Sequence, residues 1–240
     1  MDVSVIIVNY KTSRLLVDAI DSVFDKTEGI SFEVIVVDNH SQDDSERVIH
    51  ERYGNRITYL PLAENVGFGR ANNEGAKIAR GRYLFLLNPD TWLLNNAVKI
   101  LSDFLDTHDS VAIVGGNLYS PYLNPNASFS RKLLFPSWFM EISYLSAWIL
   151  PRLVYGKNFE FNHSGRPLEV GFIIGADMMI RADVFHRLGG FDPSFFMYSE
   201  ETDLSYRVAQ AGFKSISVPE ARIVHMEGES HEYKEMQMQM

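Results

Sequence analysis

The stretch that decides the fold is Tyr83-Leu84-Phe85-Leu86-Leu87-Asn88-Pro89-Asp90, an apolar run that ends abruptly at an amide, a proline and a carboxylate. Five consecutive apolar residues predict a strand that is buried on both faces of a sheet. The proline cannot donate a ladder hydrogen bond, so the strand ends before it. Open α/β sheets bind ligands at the carboxyl ends of their strands, where Asp90 is suited to holding a divalent cation against a phosphorylated substrate. A simple Asn-Pro turn explains the same residues.

The rest of the chain places this run in a series of strands and helices. Apolar runs predict further strands over 3–8, 33–37, 57–60, 111–114, 169–174, 178–180, 214–218 and 223–225. Helices are predicted over 44–53, 68–79, 97–107, 138–150, 182–188 and 200–210, and after the first strand, where Leu16, Ala19, Ile20 and Val23 share one face. Because strands and helices alternate in the first half, the sequence predicts an α/β fold with a mostly parallel central sheet and helices on both faces.

Composition narrows the class of protein. With 240 residues, of which 46% are hydrophobic and 22% are charged, the chain has the composition of a folded soluble protein. The formal charge of -9 offers no basic face for nucleic acid, and the absence of cysteine excludes disulfides and thiolate metal sites. The amino terminus lacks the basic region of a signal peptide, and no segment has an apolar run that is long and uninterrupted enough to span a bilayer. We therefore expect a cytoplasmic location. Residues 235–240 look like the start of a helix whose remainder is missing.

Polar side chains follow three of the predicted parallel strands. They are Asn9 and Tyr10 after the first strand, Asp38 after the second, and Asn88 and Asp90 after the fourth. Turn formation explains each of them singly. Because the carboxyl ends of parallel strands meet at one edge of a sheet, together they favour a nucleotide site. In that site Asp38 would accept hydrogen bonds from a base or ribose, and Asn9 would supply main-chain contacts.

Residues 64–73, Glu-Asn-Val-Gly-Phe-Gly-Arg-Ala-Asn-Asn, place two glycines next to the start of a predicted helix. Glycines there let backbone amides approach a ligand closely, and the helix N-terminus favours negative charge. The segment does not follow the first strand and holds no Gly-Lys-Ser/Thr, so it is neither the dinucleotide fingerprint nor a P-loop. A helix-capping loop is the alternative. Asn72 and Asn73 are poor helix formers, which suggests that at least one contacts a ligand.

Three carboxylates fall within four positions at the start of a predicted helix: Glu200, Glu201 and Asp203. Complementing the helix dipole explains acidic residues there, but three exceed what capping requires. A carboxylate that points into a cleft acts as a general base toward a hydroxyl. Arg207, four residues after Asp203, is expected to brace the helix. His225, at the end of the last strand, is either a turn or packing residue or, with Asp90 on the same edge, a second metal ligand.

Taken in order, these segments resemble the inverting family 2 glycosyltransferases with the GT-A fold, especially their rhamnosyltransferase-like branch. The matching segments are VIIVNY (5–10), VVDNHS (36–41), NVGFGRANN (65–73), LNPD (87–90), GA (175–176) and EETDL (200–204). Each is weak alone, but their order and spacing over nearly the whole chain make the resemblance specific. It implies one GT-A domain over 1–240, made of a nucleotide-sugar-binding half (1–116), an insertion (117–167) and an acceptor and catalytic-base half (168–240).

The resemblance implies metal-assisted single displacement at the anomeric carbon of the donor sugar. Asp90 stands at the second aspartate of the family's Asp-x-Asp motif and would ligate Mg²⁺ or Mn²⁺ on the diphosphate, while Asn88 replaces the first. Glu201 matches the second acid of the family's Glu-Asp motif, the catalytic base; because Asp is usual there, Glu200 stays as the other candidate. Among the further substrate-binding residues, Asn9, Asp38 and Asn65 would lie on the nucleoside side. The others would be Tyr10, Gly67, Asn72, Gly175, Ala176 and Asp203.

The implied donor is a nucleotide-diphosphate sugar, such as dTDP-rhamnose or a UDP-hexose, and the acceptor is a hydroxyl of a growing surface glycan. In the insertion, Trp138, Ile142, Leu145 and Ile149 recur at helical spacing, which is typical of a core face and also of a helix in a membrane interface. Because Arg131, Lys132 and Arg152 flank them, we hypothesise peripheral contact with the inner face of the membrane and a polyprenyl-linked acceptor. The alternatives are a nucleotide-sugar-binding relative without turnover, and a sugar-phosphate nucleotidylyltransferase, for which residues 9–12 lack a glycine-rich basic loop.

Overall fold

The apolar run Tyr83–Leu87 forms a strand near the middle of a nine-stranded sheet. The structure is a computed structural model that describes residues 1–130 and 160–226. Its strands are β1 (Val3–Asn9), β2 (Phe32–Asp38), β3 (Thr58–Pro61), β4 (Tyr83–Leu87), β5 (Thr91–Leu93), β6 (Val111–Tyr119), β7 (Phe129–Ser130), β8 (Leu168–Val170), β9 (Phe172–Ile173), β10 (Asp177–Arg181) and β11 (Lys214–His225). Its helices are α1 (Ser13–Lys26), α2 (Ser45–Tyr53), α3 (Phe68–Ile78), α4 (Ala97–Thr107), α5 (Ala182–Arg187) and α6 (Glu200–Gln210).

The large sheet is mixed: six of its nine strands run in one direction, as the alternation of strands and helices predicts, but four of its eight strand pairings are antiparallel. Its strand order is β3-β2-β1-β4-β10-β6-β11-β5, and β8 pairs with β11. Strands β3, β2, β1 and β4 are parallel to one another, and β6 and β11 are parallel to each other. Strand β10 lies antiparallel between β4 and β6, while β5 and β8 run antiparallel to β11. The small strands β7 and β9 form a separate pair.

Both faces of the sheet are covered by helices, which explains why its central strands are apolar without alternation. On one face Val5 and Ile7 of β1 pack in a cluster with helices α1, α2 and α4. The buried residues of α1 are the four that the helical spacing predicts, Leu16, Ala19, Ile20 and Val23. On the other face Ile6 of β1 packs in a second cluster with helices α3, α5 and α6. The predicted two-sided covering of the sheet is confirmed.

The second half of the chain differs in detail from the prediction. Residues 214–225 form one strand with a register shift between Ser217 and Arg222, where two separate strands were expected. The expected strand over 169–174 is divided at Gly171 into β8 and β9. Strand β5 was not expected, because three residues are too few to show the alternation of apolar and polar side chains that indicates a strand. The helix predicted over 138–150 lies outside the described residues. Within the described ranges no helix is both long enough and apolar enough to cross a bilayer.

Candidate active site

The polar ends of β1, β2 and β4 meet at one edge of the sheet, as predicted. Asn9 is the register partner of Asp38 across the β1–β2 pair, and Ile7 is the partner of Leu87 across the β1–β4 pair. Asn88 therefore follows β4 at nearly the same level as Asn9. This register comes from parallel pairing, which aligns the carboxyl ends of the strands and creates the crevice where α/β proteins bind ligands.

Asn9 is the centre of a buried hydrogen-bond network at this edge. Its side-chain amide donates to Asp38 Oδ1 at 2.8 Å and to the hydroxyls of Ser41 and Ser45 at 3.0 Å, and its Oδ1 accepts from the Thr12 hydroxyl at 2.8 Å. Its backbone carbonyl accepts from the Asn39 amide at 2.8 Å. Asp38 is itself almost fully buried and accepts also from the backbone amide of Ser41. The network fixes the first turn after β1 and the turn after β2 against each other.

Asn39 joins this network to the glycine-containing segment before α3. Its side-chain amide donates to Asn65 Oδ1 at 2.8 Å, and its own Oδ1 accepts from the backbone amide of Val66 at 2.9 Å. Asn65 Oδ1 also accepts from the amide of Gly67 at 3.0 Å. Gly67 has φ +87°, and a Cβ there would lie 2.2 Å from the carbonyl oxygen of Phe196. Glycine is therefore required at position 67 by both backbone conformation and close approach.

Next to the edge lies a cavity of about 530 Å³ that collects half of the predicted site residues. Seven of them line it: Asn88, Asp90, Gly175, Ala176, Glu200, Glu201 and His225. The cavity brings together residues from the end of β4, from the loop before β10, from the start of α6 and from the end of β11. Its remaining lining residues, which the sequence prediction did not include, are Phe68, Ile174, Met197 and Tyr198.

Asp90 and His225 are brought together by β5. The pairing of β5 with β11 is antiparallel, and it places His225 opposite Thr91. The backbone amide of Met226 then donates to the carbonyl of Asp90 at 3.1 Å, and His225 Nε2 lies 3.5 Å from Asp90 Oδ1. Both side chains are largely buried. The predicted juxtaposition of these two residues is therefore present in the structure.

The donors at this position fit a divalent cation that also binds a phosphorylated ligand. In the described residues, no group of three or more His, Cys, Asp or Glu side chains forms a complete metal site. The buried Oδ1 of Asn88, however, has no hydrogen-bond partner among the described residues, and Asn88 lines the same cavity as Asp90 and His225. A carboxylate, an imidazole and an unpaired amide oxygen make an incomplete shell of the kind that substrate phosphates complete around Mg²⁺ or Mn²⁺.

The two glutamates at the start of α6 face the cavity in different states of burial. Glu200 is 3% exposed, and its buried Oε2 has no hydrogen-bond partner within residues 1–130 and 160–226. Burial raises its pKa, and the neighbouring charge of Glu201 raises it further. Glu201 is partly exposed, and burial raises its pKa as well. Both carboxyl groups are therefore stronger bases than an exposed glutamate, which suits either of them to accepting a proton.

Other predicted site residues lie away from the cavity. Asp203 is held by Arg207, whose Nε donates to its Oδ2 at 2.8 Å; the same guanidinium also donates to the carbonyls of Leu188 and Gly190. The prediction that Arg207 braces the helix is thus confirmed. Asn72 is buried and donates to the carbonyl of Phe68, one turn earlier in its own helix. Tyr10 is 44% exposed beside the Asn9 network.

Asn73, the other half of the asparagine pair, has a partner inside the protein. Its side-chain amide donates to the carbonyl of Phe191 at 2.8 Å, and its Oδ1 accepts from the backbone amide of Phe191 at 2.9 Å. This pair of hydrogen bonds attaches α3 to the segment before α6. A structural role therefore accounts for an asparagine in the first turns of α3 without a ligand.

Comparison with known proteins agrees with this arrangement. The family model described as Glycosyl transferase family 2 matches residues 4–189, well over half of the chain. The chain belongs to this family. A curated relative, the N-acetylglucosaminyl-diphospho-decaprenol L-rhamnosyltransferase of Mycobacterium tuberculosis, is 27% identical over 219 residues, which cover 82% of this chain and 67% of that enzyme. The match places the chain in the rhamnosyltransferase-like branch of the family.

Solved structures of glycosyltransferases share the fold. The Staphylococcus aureus TarS fragment 1–349 superposes with a TM-score of 0.64 and 17% identity, over 94% of this chain and 60% of that one. The mannosyltransferase PcManGT from Pyrobaculum calidifontis, in complex with GDP-Man and Mn²⁺, superposes with a TM-score of 0.64 and 17% identity, over 93% and 56%. This family 2 chain thus has the GT-A fold, and it spans about two thirds or less of each of these three relatives.

Proposed function

We propose that this family 2 glycosyltransferase moves a sugar from a nucleotide-diphosphate sugar to a hydroxyl group of a growing surface glycan, with inversion at the anomeric carbon. The observation that carries the proposal is that Asp90 and Glu201 line one cavity at the carboxyl edge of the sheet. One carboxylate is positioned for the donor diphosphate and the other for the acceptor hydroxyl. Single displacement needs no second carboxylate as covalent nucleophile.

The donor nucleoside is assigned to the edge formed by Asn9, Asp38 and Asn65. Asp38 already accepts hydrogen bonds from Asn9 and Ser41. The bonds from Asn9 and from the Ser41 hydroxyl both end on Oδ1, so Oδ2 is the oxygen assigned to a ribose or base donor. Asn65 holds Gly67 beside it, because its side-chain Oδ1 accepts the backbone amide of Gly67. These contacts support a preformed nucleoside site in which the protein groups are fixed before the donor binds.

The diphosphate is assigned to the cavity floor. Asp90 and His225 would hold Mg²⁺ or Mn²⁺ there, with the unpaired oxygen of Asn88 as a further donor. The cation, when bound, supplies positive charge that stabilises the leaving diphosphate. The backbone around Gly175 and Ala176 lines the same space, and the Ala176 carbonyl fixes Asn88 by accepting its backbone amide at 3.0 Å.

Glu201 is assigned as the general base. As the acceptor oxygen bonds to the anomeric carbon, the bond from that carbon to the diphosphate oxygen breaks and the hydroxyl proton passes to the Glu201 carboxylate. The raised pKa of Glu201, caused by burial, strengthens it for this step. Glu200 is the less exposed of the two, and burial together with the charge of Glu201 raises its pKa.

The acceptor is proposed to be a polyprenyl-linked glycan, and rhamnose is the first donor sugar to test. Support comes from the name of the mycobacterial relative, which specifies a rhamnosyl transfer to a sugar on a decaprenol diphosphate. The hypothesis of peripheral membrane contact depends on residues 131–152, which lie outside the described residues. Sedimentation with anionic vesicles tests this proposal.

A donor panel tests the proposal. The chain is incubated with Mn²⁺ and dTDP-rhamnose, UDP-hexoses or GDP-mannose, and nucleoside diphosphate release and the anomeric configuration of the product are measured. We expect release from one donor class, an inverted product, and loss of turnover in Asp90→Ala and Glu201→Gln. Asp109→Asn, an exposed carboxylate outside the cavity, is the matched control. Retained turnover in either cavity variant contradicts its assigned role.

The same panel separates the alternatives. A binding relative without turnover would bind a nucleotide sugar in calorimetry but release no nucleoside diphosphate from any donor. A sugar-phosphate nucleotidylyltransferase would instead form a nucleotide sugar and pyrophosphate from a nucleoside triphosphate and a sugar 1-phosphate. Either result would contradict the proposed glycosyl transfer and support the corresponding alternative.

A further inference from the structure

Three consecutive residues with large apolar side chains are exposed, and two of them line the cavity. Phe196, Met197 and Tyr198 are 54%, 52% and 79% exposed, and they closely precede the two glutamates of α6. Isolated exposed apolar residues are common on protein surfaces, but a contiguous group at the rim of a polar site indicates a binding surface. Met197 and Tyr198 line the same cavity as Glu201, so this surface is continuous with the proposed reaction site.

The backbone beneath these side chains is held in an uncommon conformation. Tyr198 and Ser199 have φ values of +69° and +75°, in the left-handed region that disfavours residues with a Cβ. Such strain persists only where the surroundings enforce it, and it concentrates at functional positions. Here the carbonyl of Phe196 accepts the backbone amide of Phe68 at 3.1 Å, and the bare Cα of Gly67 permits that approach. The segment is thereby attached to the start of α3.

The position of the apolar surface formed by Met197 and Tyr198, next to Glu201, indicates which ligand binds there. Glu201, the proposed base, has to meet the acceptor hydroxyl, so the acceptor must occupy the part of the cavity beside it. Asp90 and His225, the proposed phosphate-binding residues, are polar members of the cavity lining, whereas Met197 and Tyr198 shortly precede Glu201 in the chain and add apolar surface to the same lining. A pyranose ring has one face of C–H groups, which packs on an aromatic ring, and an edge of hydroxyls.

We propose that the Tyr198 ring, with Met197 beside it, is the platform on which the acceptor sugar ring stacks, and that this platform selects the acceptor. The inference rests on the proposed function, because it takes Glu201 as the base. Stacking on Tyr198 holds one acceptor hydroxyl next to the Glu201 carboxylate and leaves the other hydroxyls at the cavity mouth. Tyr198 is therefore a positioning residue for the acceptor and takes no part in proton transfer.

Saturation-transfer NMR with octyl glycosides of common hexoses, in the presence of UDP and Mn²⁺, tests the proposal without requiring turnover. We expect the ring protons of at least one glycoside to be saturated in the wild type and in Tyr198→Phe, and to lose this signal in Tyr198→Ala. Alanine has the same disadvantage as tyrosine at positive φ, so the change removes the ring without relaxing the backbone. Tyr206→Ala is the matched control, because Tyr206 is 63% exposed on α6 and does not line the cavity.

A kinetic measurement separates this inference from the proposed function. With the active donor, the ratio of transfer to donor hydrolysis should fall about tenfold in Tyr198→Ala, the effect of losing one stacked apolar face, and stay unchanged in Tyr206→Ala. If no donor is turned over while the ring signal still depends on Tyr198, the proposed function fails and the platform stands. Ring signals that are absent in the wild type or unchanged in Tyr198→Ala overturn the platform. Saturation confined to the octyl chain overturns it as well and assigns the surface to lipid.

Discussion

His225 Nε2 lies 3.5 Å from Asp90 Oδ1, although the two residues belong to opposite halves of the chain. The contact depends on β5, which follows Asp90 directly and pairs with the end of β11. An imidazole nitrogen and a carboxylate oxygen are ligand types that a single divalent cation binds together. The structural relationship therefore makes His225 a candidate ligand and not only a packing residue.

We expect His225→Ala to weaken Mn²⁺ binding in the presence of UDP by about 10–100-fold, the range found when a group that supports a metal site is lost. Isothermal titration of Mn²⁺ into the UDP-bound protein measures this. His50→Ala is the matched control, because His50 is an exposed histidine on α2 paired only loosely with Glu46. Equal Mn²⁺ affinity in His225→Ala and the wild type would assign His225 to packing alone.

The choice between the two glutamates is tested by their amide variants. Glu201→Gln should lower kcat by about 10²–10⁴-fold, the usual contribution of a general base. Glu200→Gln should lower it less, because the Glu200 carboxyl is the more deeply buried of the two and is less accessible to an acceptor hydroxyl. The measurement is initial transfer rate with saturating donor, and thermal unfolding checks that both variants are folded. A larger loss in Glu200→Gln reverses the assignment.

The pH dependence of transfer gives an independent check on the base. A base works only when it is deprotonated, so kcat/KM should fall on the acid side as Glu201 gains its proton. Because burial raises the pKa of Glu201, this fall should be centred above the ordinary glutamate pKa of about 4.3. In Glu201→Gln the residual rate should lose this acid limb. An acid limb that persists in the variant belongs to a different group.

Much of this site follows from local sequence, and the reason is physical. The run before Asn88 predicts a strand buried on both faces, and parallel pairing then brings its end level with Asn9 and Asp38. These steps need only periodicity and the direction of neighbouring strands. The sequence alone is therefore enough to predict that these site residues lie at the carboxyl edge of the sheet.

Other parts depend on contacts between distant segments. The approach of His225 to Asp90 requires pairing with a three-residue strand, and three residues carry no readable pattern. The left-handed backbone at Tyr198 and Ser199 is occupied by residues that ordinarily avoid it, so no turn signal marks it in the sequence. Asp203 was grouped with the glutamates by its spacing, whereas in the structure Arg207 holds it away from the cavity.

Gly67 is predicted to be essential for the shape of the cavity mouth. A Cβ at this position would lie 2.2 Å from the Phe196 carbonyl oxygen, so Gly67→Ala must displace the segment that carries Met197 and Tyr198. Gly212 has the same φ of +87°, but a Cβ there would have no atom within 4 Å, so Gly212→Ala carries the backbone penalty alone. We expect Gly67→Ala to lower the free energy of unfolding by about 1–3 kcal/mol more than Gly212→Ala, the cost of overpacking.

Urea unfolding of the two alanine variants measures this difference. Transfer activity should fall in Gly67→Ala and stay near the wild-type value in Gly212→Ala, because only the first substitution displaces the cavity wall. Equal stability of the two variants would mean that the Phe196 carbonyl moves away from Gly67 at negligible cost.

Asp177 is a fully buried carboxyl group whose ionisation should make stability depend on pH. Its Oδ2 accepts the backbone amide of Gly116 at 2.6 Å, while its Oδ1 has no hydrogen-bond partner in the part of the chain that the structure describes. Burial raises its pKa well above the ordinary value, against the smaller opposite effect of the Gly116 hydrogen bond. The folded state therefore holds a proton that the unfolded chain releases from about pH 4 upward. Its contribution to stability is fully present below that pH and is lost as the pH rises through the raised pKa.

The Asp177→Asn variant keeps the shape of the side chain and removes the titration. We expect the free energy of unfolding of the wild type, relative to Asp177→Asn, to fall with rising pH by up to about 1.4 kcal/mol per pH unit above pH 4. Glu33→Gln is the control of opposite sign: burial alone would raise the Glu33 pKa, but hydrogen bonds from Arg80 and Ser4 lower it overall. Its contribution is present above the ordinary glutamate pKa and is lost in acid. Urea unfolding from about pH 2 to pH 8 measures both series. Parallel curves for the wild type and Asp177→Asn would show that Asp177 titrates alike in the folded and unfolded states.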